Sequence, residues 1–212
     1  MISNIDQVIE RKFFKKRHIT LIDKEDFPRL LEPKKDESIS CKVEDTVDKK
    51  YLEDIIINIC DDENIAKSIK RIFEIYTDTV IISASYKGET AGCILIMIPS
   101  QPIIYDSCKY TPNQVHFAQL YVNSNYRRKG ISSYLRHSAF NYWYNNYPSR
   151  TVVGIIEKSN DASFQGAKKM NYKFGGTNYL IKFFGKNIMS ITNCAGKWEF
   201  LLLFRDTKSK RI

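Results

Sequence analysis

The sequence predicts a mixed α/β fold, in which a mostly antiparallel central sheet carries helices on both faces. Three observations predict it. "TVIISASYKGETAGCILIMI" (79–98) holds two apolar runs joined by "YKGE", the mark of an antiparallel hairpin. "QVHFAQLYV" (114–122) and "TVVGIIE" (151–157) read as strands with a helical run between them, and the second is a short apolar strand of the parallel type. "DDENIAKSIKRIFEIY" (61–76) places Ile65, Ile69, Ile72, Phe73 and Tyr76 at three- and four-residue spacing, one apolar helix face. One strand-helix-strand unit among hairpins makes a mixed sheet.

The remaining elements follow in chain order. "HITLID" (18–23) is a first strand, and "DFPRLL" (26–31) starts a short helix with Asp26 as N-cap and Pro28 in its first turn. Pro33 to Lys50 is dense in charge and poor in aromatics, which predicts an exposed loop or hinge. "YLEDIIINI" (51–59) reads as a helix before the amphipathic one. After the strand at 114–122 comes a basic turn, then a helix whose period runs through Ile131, Leu135, Ala139 and Tyr142. "NDASFQGAKKM" (160–170) is a helix capped by Asn160 or Asp161, and "TNYLIKFFG" (177–185) and "KWEFLLLF" (197–204) are late strands.

The chain has 212 residues, enough for one domain with a sizeable core. Its 43% hydrophobic and 13% aromatic content excludes global disorder. Lys and Arg number 33 against 24 for Asp and Glu, and a net charge of +9 favours anionic partners: phosphorylated cofactors, nucleic acid or an anionic membrane surface. Part of that charge sits in "RKFFKKRH" (11–18) and "KSKRI" (208–212), read as solvated ends. Five cysteines without a C-x-x-C pair and only three histidines speak against a disulfide framework and a structural zinc site. Reduced thiols, no apolar leader at the N-terminus and no apolar run long enough to span a bilayer lead to the expectation of a cytoplasmic protein without a membrane span.

The motif that carries chemistry is "NYRRKGISSYL" (125–135). A helix start offers unpaired N–H groups and the positive end of the helix dipole. Gly130 just before it lets a ligand approach the backbone, and Arg127, Arg128 and Lys129 add charge. The three features converge on a phosphate or pyrophosphate, although neither the P-loop nor the dinucleotide glycine pattern is present. A solvated helix cap is the plain alternative.

With its context, this stretch resembles the GCN5-related N-acetyltransferase (GNAT) superfamily of acetyl-CoA-dependent enzymes. Their pyrophosphate loop, Q/R-x-x-G-x-G/A at the end of a strand, stands here as Arg127-Arg128-Lys129-Gly130-Ile131-Ser132. Their later helix opens with N-x-x-S and runs through a lysine to an aromatic, here Asn160, Ser163, Lys169 and Tyr172. The resemblance covers roughly residues 70 to 185. It departs at Ser132, where the family has Gly or Ala, and at Ala167, where many members carry the tyrosine that protonates the departing thiolate.

The resemblance implies an acyltransferase moving an acetyl or other acyl group from acetyl-CoA or another acyl-CoA to a small-molecule primary amine, by direct attack in a ternary complex and without a metal. It implies that main-chain groups of Leu120, Tyr121 and Val122 line the pantetheine arm. Arg127, Arg128, Lys129, Gly130, Ile131, Ser132 and Ser133 would hold the pyrophosphate, and Asn160 and Ser163 would meet the cofactor arm. It also implies an N-terminal segment, 1–60, shaping the acceptor side of a core spanning 61–212.

The amine must lose a proton, which points to His116, Glu157 or Asp106 as base; for His116 the plain alternative is a strand histidine satisfying its own hydrogen bonds. Tyr172 and Tyr179 are the candidate acids, and strand alternation sets Gln119 on the side opposite His116. Cys194 reads as an ordinary cysteine, and the cluster "FNYWYNNY" (140–147) reads as core packing before it reads as an adenine platform. A homodimer through an exposed strand edge near the C-terminus is compatible with the sequence. Two other readings stay open: an acyl-CoA-binding regulator without turnover, and a basic nucleic-acid-binding protein, which lacks a recognisable reading motif.

Overall fold

The computed structural model describes residues 14–45, 49–75, 78–184, 186–194 and 196–203. The solvated-end expectation lies outside the described residues at 11–13 and 208–212, as does Tyr76 of the amphipathic helix, and it is corrected at 14–18, which open an interior strand with Arg17 fully buried. In chain order the strands are β1 (Phe14–Ile22), β2 (Ile39–Glu44), β3 (Thr79–Tyr86), β4 (Glu89–Met97), β5 (Ile103–Tyr105), β6 (Cys108–Tyr110), β7 (Gln114–Val122), β8 (Thr151–Glu157), β9 (Phe174–Phe183), β10 (Lys186–Cys194) and β11 (Lys197–Leu202). The helices are α1 (Lys49–Ile59), α2 (Glu63–Ile75), α3 (Ile131–Asn146) and α4 (Asp161–Lys169), with short 3-10 turns at Lys24–Arg29 and Ser124–Tyr126.

Nine strands form one sheet in the order β11-β10-β9-β1-β8-β7-β4-β3-β2, and β5 pairs with β6 in a separate hairpin. Every neighbouring pair is antiparallel except β7 and β8. The β3–β4 apolar runs are continuous because both faces of the sheet are covered. Ile82, Ile94 and Ile96 pack under α3 with Leu135, Phe140 and Trp143. Ile81, Cys93, Leu95 and Met97 alternate to the other face, against Ile55, Ile59, Ile69 and Ile72 of α1 and α2. The α3 stripe continues from Ala139 to Trp143, which is fully buried, rather than to the half-buried Tyr142. Phe140 and Trp143 are therefore core residues and present no platform to a ligand; losing the Trp143 side chain would cost roughly 3–5 kcal/mol.

Three local expectations are corrected. The segment read as a loop contains β2, which pairs with β3 along Ile39–Tyr86 to Glu44–Ile81. It is an edge strand, and an edge tolerates exposed Lys42 and Val43 where an interior strand would not. The 3-10 turn starts one residue after Asp23, so Asp23 is its N-cap; Asp26 sits three residues on, its carboxylate accepting from the Asp23 N–H at 3.1 Å. β10 was not anticipated, because its inward side chains are polar: Ser190 and Thr192 accept from Asn178 Nδ2 at 2.7 and 2.9 Å. Asn160, not Asp161, caps α4, its side chain accepting from the Ser163 N–H at 3.1 Å. Among the described residues no helix is long and apolar enough to cross a membrane.

Candidate functional site

β7 and β8 pair only at Gln114–Thr151, Val115–Val152 and His116–Val153. Beyond that point each follows its other neighbour: β7 stays on β4 up to Val122–Gly92, and β8 stays on β1 up to Glu157–Arg17. The two facing edges separate, and a cavity of about 770 Å³ opens at the split. A bulge helps to open it. Leu95 pairs with Gln119 and Ile96 with Phe117, so Ala118 is the extra residue in β7. The bulge overturns the alternation argument for Gln119. His116 and Gln119 both face the α2 side, where Gln119 Oε1 lies 3.5 Å from the Ser68 hydroxyl.

The basic turn stands at the far end of β7. The loop before α2 anchors it: Asn123 Nδ2 donates to the Ile59 carbonyl at 3.0 Å, and the Ser124 hydroxyl donates to Asp61. Arg127 folds back, its Nε on the Val122 carbonyl at 3.2 Å and its guanidinium over the Tyr121 ring. Lys129 Nζ sits 4.2 Å from the Tyr86 ring centroid. Arg128 has φ +65° and Gly130 φ +79°, left-handed positions that curl the chain into the start of α3. Among the described residues the N–H groups from Arg128 to Ser132 have no hydrogen-bond partner, while Ser133 N–H already reaches the Gly130 carbonyl at 2.9 Å. Ile131 is buried, so only its main chain can serve a ligand.

The wall on the α2 side is built from scattered side chains. Arg17, fully buried on β1, donates to Asn178 Oδ1 from Nε (2.8 Å) and Nη2 (2.6 Å), to Cys108 Sγ (3.1 Å) and to Asp106. Asp106 projects from the β5–β6 turn with half its side chain reachable by solvent, yet the cavity walls enclose it. That enclosure raises its pKa, with Arg17 and Lys15 opposing. Glu157 pairs with Lys15. His116 is buried: Nδ1 donates to the Val153 carbonyl at 2.9 Å, Nε2 lies 3.3 Å from the Tyr110 hydroxyl, and the two rings stack. Burial pushes its pKa down to about 4.

The opposite wall comes from α3 and α4. Asn160, Ser163, Tyr172 and Arg136 line it. Burial raises the Tyr172 pKa, partly offset by the Arg136 cation, whose guanidinium carbon lies 6.0 Å from the Tyr172 ring centroid. Ala167 is buried in the core and offers no acid.

Of the residues singled out in the sequence, His116, Glu157, Tyr172, Leu120, Asn160 and Ser163 line the cavity together. The turn from Arg127 to Ser133 and the side chains of Tyr121 and Val122 lie outside its lining, continuing from Leu120 along β7. Tyr179 faces Lys16, away from it. The Cys194 thiol is half-buried with its pKa raised by burial, the state of an unreactive cysteine. Arg17 and Arg136 were missed. The signal was a charge on a buried stripe: Arg136 shares its helix face with Ala139, Phe140 and Trp143, and Arg17 precedes Ile19 on the inward side of β1.

A profile of the acetyltransferase (GNAT) family matches residues 49–163, just over half of the 212 residues. No curated protein matches the chain. Among solved structures, a functionally unknown conserved protein from Staphylococcus epidermidis is similar with a TM-score of 0.55 at 13% identity, over 82% of this chain and 64% of that one. A tandem GNAT protein from the clavulanic acid biosynthesis pathway gives 0.55 at 12%, over 76% and 50%. A Drosophila protein gives 0.53 at 12%, over 92% and 58%. The chain spans between half and two thirds of these structures, and at such identities the likeness is one of fold.

Proposed function

The chain belongs to the acetyltransferase (GNAT) family, and on that premise we propose that it moves an acetyl or other short acyl group from a coenzyme A thioester to a primary amine on a small molecule, by direct attack in a ternary complex. The observation that carries this reading is the β7–β8 split, which leads to a helix start with unpaired N–H groups. The chain's residues fit the cofactor: N–H groups and Arg128 at the turn for pyrophosphate, and two unpaired strand edges for the amides of the pantetheine arm. Bound there, the cofactor supplies an activated thioester carbonyl.

The protein's own groups then do the following. Main-chain groups of Leu120, Tyr121 and Val122 align the arm, and Asn160 and Ser163 flank it across the split. The N-terminal 60 residues shape the acceptor side through Lys15 and Arg17. Those cations already neutralise Glu157 and Asp106, so the wall favours an uncharged amine over an ammonium ion. Asp106, the carboxylate that reaches the cavity from the β5–β6 turn, receives the amine proton. His116 orients the wall instead, its Nδ1 on the Val153 carbonyl and its Nε2 at the Tyr110 hydroxyl. Tyr172, held protonated by burial, is the hydroxyl that donates to the departing thiolate. Two copies pair through the β11 edge, where Trp198, Phe200 and Leu202 are exposed, and the five free cysteines fit a cytoplasmic setting.

Titration calorimetry with acetyl-CoA tests the reading. Wild-type protein should bind in the micromolar range, and Ser132→Glu, which sets a carboxylate at the phosphate position without disturbing the helix start, should abolish binding. No binding by wild type ends the acyltransferase reading.

A further inference from the structure

Arg136 is 7% exposed, lines the cavity, and makes no hydrogen bond or ion pair among the described residues. The other charges lining the cavity, Arg71 on α2 among them, have partners of their own. Arg17 is bound to Asp106, Lys67 to Glu63, and Glu157 to Lys15. Its guanidinium lies against α4 at Gly166, where a Cβ would meet Nη1. A buried guanidinium normally has a carboxylate beside it, because desolvating the charge alone costs several kcal/mol. From this geometry we infer that Arg136 receives a carboxylate carried by a ligand in the cavity, and that this carboxylate is the free end of the donor's acyl group.

The placement of Arg136 selects the source. It stands on the α3–α4 side with Asn160, Ser163 and Tyr172, not on the α2 side with Asp106 and Glu157. Its guanidinium carbon lies 6.0 Å from the ring centroid of Tyr172, the residue placed at the departing sulfur, so it stands at the thioester end of the donor. The arm between the phosphates and the thioester is uncharged, so the charge a donor can bring to this depth is on its acyl group. Acetyl has none. The half-thioester of a short dicarboxylic acid, of the malonyl or succinyl kind, has one, and a planar guanidinium binds a carboxylate through two parallel hydrogen bonds. In the transfer the amine nitrogen bonds to the thioester carbon, the C–S bond breaks with its electron pair on sulfur, and the amine's proton ends on the thiol. The distal carboxylate passes unchanged into the product amide.

The inference rests on the acyl-CoA reading, and one set of titrations separates the two. Coenzyme A, acetyl-CoA and succinyl-CoA are titrated into the full chain and into Arg136→Gln and Arg136→Lys. Wild type should bind succinyl-CoA about ten- to a hundredfold more tightly than acetyl-CoA, the range of a charge-assisted hydrogen bond. Arg136→Gln should erase that ratio while leaving acetyl-CoA affinity within about threefold, and Arg136→Lys should keep part of it. A side chain that merely packs would move both affinities together. If Arg136→Gln fails to fold, the ratio in Arg136→Lys decides. Equal affinities in wild type, or a ratio that survives Arg136→Gln, overturn the inference and leave the acyl-CoA reading standing. A ratio of one for the thioesters, with an α-amino acid bound more tightly than its amide in an Arg136-dependent way, likewise overturns it, the carboxylate then being the acceptor's. Failure of coenzyme A and both thioesters to bind overturns both.

Discussion

At the basic turn beyond β7 the unpaired groups among the described residues are main-chain N–H groups of five consecutive residues, Arg128 to Ser132, held by one turn and one helix. In the cavity at the β7–β8 split, where the acceptor is proposed to bind, they are side chains from separate elements: Arg17 from β1, Ser68 from α2, Asp106 from the β5–β6 turn, His116 from β7 and Glu157 from β8. The first end is local in sequence and nearly independent of side-chain identity. The second is assembled from positions up to 140 residues apart, from Arg17 to Glu157, and depends on each side chain in it. Substitutions should therefore uncouple stability from binding at the first end and couple them at the second.

The largest effect is expected at the acceptor end. Arg17→Met leaves Asp106 and Asn178 without their partner, and should lower stability in urea unfolding by roughly 3–5 kcal/mol. Arg128→Ala, at the phosphate end, should leave stability unchanged and weaken acetyl-CoA binding alone. A small loss in Arg17→Met would break the comparison.

Next comes pH. His116 has a folded pKa of about 4 against 6.5 for an unconstrained histidine, so between those values the unfolded chain binds the proton and the folded chain does not. Stability is complete above about pH 6.5 and falls as pH drops toward 4, by roughly 3 kcal/mol for this group at most. The lowered pKa of His18 has the same sign. Thermal melts at stepped pH should show the slope in wild type and a shallower one in His116→Gln. An unchanged slope would show that His116 is not buried neutral.

A smaller effect is expected at Asn160, whose side chain caps α4 while facing the cavity. Asn160→Ala should cost about 1 kcal/mol of stability and weaken acetyl-CoA binding as well, the one donor-side residue expected to show both. Smallest is Ser132→Glu, which should raise stability by about 0.3–1 kcal/mol through the helix dipole while opposing the phosphates. A stabilised protein that has lost cofactor binding would be the sharpest support for an end made of backbone.

Much of this was legible in the chain, and the illegible parts share a cause. The β3–β4 hairpin, β7, β8 and the amphipathic helices follow from apolar period, and the turn into α3 from a glycine at a helix start, because those signals are short-range. β10 escaped because its inward residues are polar and satisfy Asn178, and β2 because an edge strand carries charge. The Ala118 bulge, which turns Gln119 to the side of His116, leaves no mark on the alternation of β7.

The sequence by itself thus determined the mixed α/β class, the basic turn that ends at Gly130 and a helix start at Asn160 or Asp161, each set by contacts within a few residues. Only the tertiary structure decided where β7 and β8 part, that His116 is locked between Tyr110 and Val153, and that Arg136 is buried without a counter-ion among the described residues. The physical reason is that burial, pKa and charge balance depend on neighbours far along the chain, and no local pattern records them.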